Sequence, residues 1–142
     1  MRRPEDLFAR VPIHDFLGFV LERCSGDVAE ISMSPRAEFL QEGSVVQGGI
    51  LSALADTTAA YCLIPTLPPQ TTITGVEFKV NFLRPATLEK GLLRARGRVV
   101  RRGRNIAVCE VAVEQADSEV ALALFTFLYL PLTARPGLLA PP

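Results

Sequence analysis

Three things are scarce in this chain. Histidine occurs once, as His14, in the N-terminal part of the sequence. Cysteine occurs three times, at Cys24, Cys62 and Cys109, widely spaced and with no CxxC pair. An odd, scattered set argues against a disulfide framework or a structural zinc site and fits a reducing compartment. No histidine accompanies Cys62 or Cys109, so both read as packing residues rather than nucleophiles. Net charge is absent as well, because fifteen basic residues balance fifteen acidic ones. Without a global field there is no pull towards DNA, RNA or an anionic membrane. The longest apolar run, around Val120 to Leu130, is too short to span a bilayer. The opening Met1-Arg2-Arg3-Pro4-Glu5-Asp6 leads into a mixed polar segment and not a signal peptide. The expectation is a cytoplasmic protein with no metal, nucleic-acid or membrane partner.

What is present is one domain's worth of chain, residues 1–142, of which 49% are hydrophobic and 21% charged. That suffices for a hydrophobic core. Residues of about 4–23, through Leu7, Phe8, Ile13, Phe16, Leu17 and Phe19, read as one or two short amphipathic helices. From Val28 the pattern changes: Ala29, Ile31 and Met33 alternate with Glu30, Ser32 and Ser34, a half-buried strand after a Gly26-Asp27 turn. A loop follows to Gln47. The run from Gly48 to Ile64, stopped by Pro65, reads as a helix about 24 Å long. It has almost no polar face, so it belongs inside something.

Four further strands supply the surroundings. Val76, Phe78, Val80 and Phe82 alternate with Glu77, Lys79 and Asn81; Leu93, Ala95, Gly97 and Val99 alternate with Arg94, Arg96 and Arg98. Ala107, Cys109, Val111 and Val113 form a third apolar face, and Val120 to Leu130 is apolar on both faces, as a central strand would be. Arg102-Gly103-Arg104 reads as a hairpin turn. Ile73 is out of phase with Val76, which places a bulge near Gly75. The fold class is α+β, an antiparallel sheet wrapped around one central helix. Residues of about 131–142 are Pro-rich and form a loose tail or a packing arm, with Leu138, Leu139 and Ala140 as its apolar part.

Asp56 is the most informative residue, a carboxylate inside an apolar helix. It either lies on one solvated stripe, bonds to Thr57 or Ser52, or is a perturbed functional acid. Gln47-Gly48-Gly49 is the second feature. Two glycines weaken a helix by about 1 kcal/mol each, yet they let a ligand approach backbone N–H groups at the positive end of the helix dipole. They also permit tight packing against a strand. Gly48 and Asp56 are eight residues apart, about 12 Å along the axis, too far to act on one atom. Two antiparallel copies related by a two-fold axis would bring Asp56 of one beside Gly48 of the other.

The stretch from Gln47 to Thr57, followed by Val76-Glu77-Phe78-Lys79-Val80-Asn81-Phe82-Leu83-Arg84-Pro85-Ala86, resembles the hotdog-fold acyl-CoA thioesterases, in the phenylacetic-acid-degradation and 4-hydroxybenzoyl-CoA branch. The resemblance covers about residues 15 to 130. It implies a hotdog fold, a homodimer or dimer of dimers, an acyl-CoA substrate and no cofactor beyond the CoA of the substrate itself. By the same resemblance Gly48 supplies the oxyanion-hole N–H, Asp56 is nucleophile or general base, and Gln41 positions the carbonyl or the water. Gln47 and Gly49 flank the substrate, as do Gly75 and, should a bulge shift the register, Thr74 or Thr72. Many relatives carry His at the place of Gln47 and a hydroxyl residue at the place of Gly75. Tyr61, Phe78 and Phe82 are expected to line an apolar pocket for an aryl or medium-length acyl group. Arg84, Arg101, Arg102 and Arg104 are candidates for the CoA phosphates, whereas Arg94, Arg96 and Arg98 suit a solvated face. His14 is expected at the surface or partly packed, and Glu77 and Asn81 on the solvent side or at an interface. A non-catalytic ligand-binding dimer and a hydratase-like acyl-thioester enzyme are the alternatives, the latter disfavoured by the lack of a histidine near the central helix.

Overall fold

In the computed structural model, which describes residues 3–134, helix α3 (Gly48–Leu63) lies across one face of a six-stranded antiparallel sheet. Two short helices come first, α1 (Pro4–Phe8) and α2 (Pro12–Leu17). The strands are β1 (Phe19–Ser25), β2 (Val28–Met33), β3 (Thr71–Phe82), β4 (Leu93–Arg102), β5 (Ile106–Gln115) and β6 (Ser118–Pro131). Their spatial order is β1-β2-β4-β5-β6-β3. This is the expected α+β hotdog architecture. No helix among the described residues is long and apolar enough to cross a membrane.

The central helix forms where the sequence placed it. Gln47 is its cap, with Oε1 accepting the Ile50 N–H at 3.2 Å, a donor that also reaches the Gln47 main-chain carbonyl at 2.9 Å. Pro65 ends it in a tight turn over Ile64–Thr66. Leu54, Ala55, Thr58, Ala59 and Cys62 are buried against the sheet. Thr58 costs little there because its hydroxyl donates to the Leu54 carbonyl at 2.8 Å. Gly97 in β4 allows the close approach: a Cβ there would sit 2.7 Å from Cys62 Sγ.

One strand was not legible. Residues 19–23, expected to continue the N-terminal helices, are strand β1, paired with β2 from Phe19↔Met33 to Ser25↔Val28. Gly18 in a left-handed conformation (φ 72°) ends α2 and turns the chain. The register of β1 slips between Leu21 and Arg23. The inward residues are therefore Phe19, Leu21 and Cys24, whose uneven spacing looks helical in the sequence.

The bulge near Gly75 is present, with the β3–β6 register shifting between Gly75 and Glu77. Strand β3 pairs only with β6, so its other edge is open. Val76, Phe78 and Phe82 on that edge strand are each more than half exposed. On the outer face, Arg96 pairs with Glu30 and Glu114, and Arg98 with Glu110, an exposed ladder of ions. The apolar tail residues Leu138, Leu139 and Ala140 lie outside the described residues.

Candidate functional site

The start of α3 presents free donors. Among the described residues, the N–H groups of Gly48 and Gly49 have no acceptor. Each glycine also has a packing reason. A Cβ on Gly48 would lie 2.8 Å from Cζ of Phe82, and one on Gly49 would lie 2.6 Å from the capping Oε1 of Gln47. Packing and amide exposure thus coincide here. Gly48 lines a cavity of about 420 Å³ together with Gln41, Leu51, Phe82 and Arg84. Arg84 donates to the Glu119 carbonyl at 2.8 Å, so part of its guanidinium is committed to the fold.

Asp56 faces a different cavity, of about 1310 Å³. Its walls include Ala60 and Ile64 of the same helix, Gly75 and Phe78 of β3, and Phe125 and Phe127 of β6. Asp56 makes no side-chain hydrogen bond among the described residues; neither Thr57 nor Ser52 holds it, since Ser52 bonds to the Gly48 carbonyl instead. The residue is exposed overall, yet the nearby protein removes enough water to raise its carboxyl above the ordinary carboxylate range. That direction rests on desolvation alone. Neighbouring copies of the chain would add to it or offset it.

The far end of this cavity is closed by Leu7, Val11 and His14 from the N-terminal helices. His14 is not a surface residue: it is buried, and its Nδ1–H donates to the Phe8 carbonyl at 3.0 Å. Its ring stacks on Phe8 at 4.2 Å and meets Tyr61 edge-on. Burial lowers its pKa, against the smaller opposing effect of the Phe8 hydrogen bond. Tyr61 is buried in the same cluster, and its hydroxyl has no hydrogen-bond partner among the described residues.

The remaining candidates separate. Gly75 pairs with Phe127 and stands on the cavity side. Thr74 pairs with Leu128 and lines neither cavity. Thr72 lines the large cavity. Glu77, expected on the solvent side, lines that cavity too while remaining exposed. Arg102 is engaged elsewhere: Nη2 donates to Asp27 at 2.6 Å and to Thr66 at 2.7 Å, tying the β4–β5 hairpin to the end of α3. Arg104 is exposed and makes no side-chain hydrogen bond among the described residues. Phe125 and Phe127 were readable only as core, since a strand apolar on both faces does not say which face meets a ligand.

These features define a hotdog domain with a polarising helix start and an isolated acid on one helix. The model of the thioesterase superfamily matches residues 43–122, more than half of the chain, and spans both Gly48 and Asp56. The chain belongs to the thioesterase superfamily, and its class is thioester hydrolase. A phenylacetic acid degradation-related protein of Ralstonia eutropha JMP134 is 30% identical, with 87% of this chain and 97% of that one covered and a TM-score of 0.79. A thioesterase family protein from Silicibacter pomeroyi is 26% identical over 89% of this chain and 95% of its own, with a TM-score of 0.82. A protein of Saccharolobus solfataricus named as an esterase is 27% identical over 117 residues, 82% of this chain and 81% of that one.

Proposed function

We propose that the protein is a cytoplasmic acyl-CoA thioesterase whose active site is completed across a homodimer, and which pairs again as a dimer of dimers. The observation that carries this reading is the division of the helix. Gly48 with Gln41 and Asp56 open into separate cavities of one chain, about 12 Å apart along the axis. A second copy set antiparallel brings the two halves together. The open edge of β3, with Val76, Phe78 and Phe82 exposed along it, supports that pairing, because an unpaired apolar edge is a liability in a lone molecule.

In the completed site the thioester carbonyl oxygen accepts from the Gly48 N–H, where the helix dipole favours the charge that develops on it. Asp56 of the other protomer either attacks the carbonyl carbon or takes a proton from a water that does. The tetrahedral intermediate then collapses and expels the CoA thiolate, and on the first route water hydrolyses the resulting acyl–Asp56 anhydride to release the acid and restore the carboxylate. The raised pKa of Asp56 makes its carboxylate a stronger base and nucleophile than an ordinary one. Gln41 at the mouth of the smaller cavity positions carbonyl or water. An aryl or medium-length acyl chain suits the large cavity, whose walls at Phe78, Phe125 and Phe127 are aromatic. Arg84 and Arg104 remain candidates for the CoA phosphates, and Arg102 is the weaker one because its donors are occupied. No metal or redox cofactor is required.

One observation favours the rival reading of a non-catalytic binding dimer. Phe82 packing already accounts for glycine at position 48, and Gln47 is spent on the helix cap. Thiol release from aryl-, short- and medium-chain acyl-CoAs, with the natural protein and Asp56→Asn, separates the two. A fall of about a hundredfold or more in the variant is expected, equivalent to about 3 kcal/mol of transition-state stabilisation. No turnover on any member of the panel would leave the binding dimer.

A further inference from the structure

We propose that Gln115 is a positioning residue for the reaction, holding the oxyanion end of the site from the far end of strand β5. The inference rests on the thioesterase reading above. Gln115 is almost completely buried, at 2% exposure, at the end of an apolar strand. A buried amide is costly unless its donors and acceptor are used. All the side-chain hydrogen bonds of Gln115 go to one irregular segment. Its Oε1 accepts the Thr87 N–H at 2.9 Å, and its Nε2 donates to the carbonyls of Thr87 and Gly91, each at 2.7 Å.

That segment is what the start of α3 leans on. Thr87 forms an isolated bridge with Val45. The adjoining Ala86 carbonyl accepts the Val46 N–H at 2.8 Å, and both Ala86 and Val46 are buried. The Val45 carbonyl in turn accepts the Gln41 N–H at 2.8 Å, while the Gln47 N–H donates to Phe39 at 2.8 Å. Gln115 therefore clamps Thr87, Thr87 and Ala86 hold Val45 and Val46, and these two lie between Gln41 and the cap residue Gln47. Residues 83–92 contain no helix or long strand of their own to keep them in place. Releasing the clamp lets the 40–47 loop and the Gly48 N–H shift together, and displacements well under 1 Å matter where a carbonyl must meet a fixed donor.

The test compares Gln115→Met, which keeps the volume and loses all three bonds, with Val111→Ala. The latter is a core truncation on the same buried face of the strand, four residues from Gln115. Amide exchange at Val46 and Gln41, melting temperature, and kcat and KM on the best acyl-CoA are measured for both. The expected result for Gln115→Met is faster exchange at both amides and a kcat lowered by about tenfold or more, with KM changed by less than about threefold. Val111→Ala is expected to lose melting temperature and do neither. Should Gln115→Met fail to fold, Gln115→Asn, one methylene shorter, carries the same comparison. Exchange at Val46 and Gln41 unchanged from the natural protein, or a kcat that merely follows Val111→Ala at equal loss of melting temperature, overturns the proposal. Absence of turnover in the natural protein would instead sink the thioesterase reading, and the exchange rates would then decide the clamp by themselves.

Discussion

The two cavities beside α3 present different polar groups. The smaller one, at Gly48, sets an unbonded helix-start N–H beside Leu51 and Phe82, next to a loop stitched by hydrogen bonds of 2.7–2.9 Å. The larger is walled by side chains, mostly apolar, with the carboxylates of Asp56 and Glu77 left without partners among the described residues. The difference teaches how the labour is divided. In the proposed reaction, a donor that meets a developing charge is held in place, whereas the acid that reacts is kept partly dry and unsatisfied. On that proposal neither half is sufficient, because the two lie about 12 Å apart along one helix.

Experiments can break that contrast from either side. Asp56→Asn should have the largest effect, the hundredfold loss described above. A bulky residue at position 48 should be comparably damaging, since Gly48→Val meets the Phe82 ring and displaces the amide. Mixing the two inactive proteins under conditions that exchange subunits is the sharper form. Each mixed dimer has one site with both Gly48 and Asp56 intact, so activity should return to about a quarter of the natural level. No recovery despite proven exchange would place the complete site within one chain.

The pH dependence should carry the signature of the large cavity. On the proposed mechanism only ionised Asp56 reacts, and burial raises its pKa above the ordinary carboxylate value, so kcat/KM should rise with pH through a limb displaced upward from that value. The stability sign is the reverse. A group whose folded pKa is raised favours the folded state below its unfolded pKa, and this advantage is lost as pH climbs through the folded one. Asp56→Asn should therefore match the natural protein in melting temperature at low pH and exceed it at neutral pH. A variant that melts lower at neutral pH would mean the carboxylate has a partner.

Smaller effects separate the two walls further. Gly49→Ala pushes the Gln47 carbonyl off the Ile50 N–H. It should cost about 1 kcal/mol of stability, as lost caps do, together with part of kcat. Tyr61→Phe removes a buried hydroxyl that has no partner. It should leave urea stability unchanged or raise it by up to about 1 kcal/mol. A clear destabilisation would show that the hydroxyl is bonded in the assembled protein.

Much of this was written in local pattern. An apolar helix with a lone acid, glycines at its start and strands of period two are each properties of a few adjacent residues. The phase break at Gly75 is another, and the bulge stands beside it. Strand β1 was lost for an equally local reason, since its own register slip disguises the period.

The sequence by itself determined the central helix, the fold class and the eight-residue spacing that forbids Gly48 and Asp56 of one chain from sharing a substrate atom. Those follow from short-range rules of rise, capping and alternation. Only the tertiary structure decided that β1 and β3 are the edge strands, that His14 is buried, that Arg102 is bound to Asp27, and that Gln115 reaches Thr87. Each of these joins parts of the chain far apart in sequence, and which of many polar groups finds a partner depends on how the whole sheet closes around the helix.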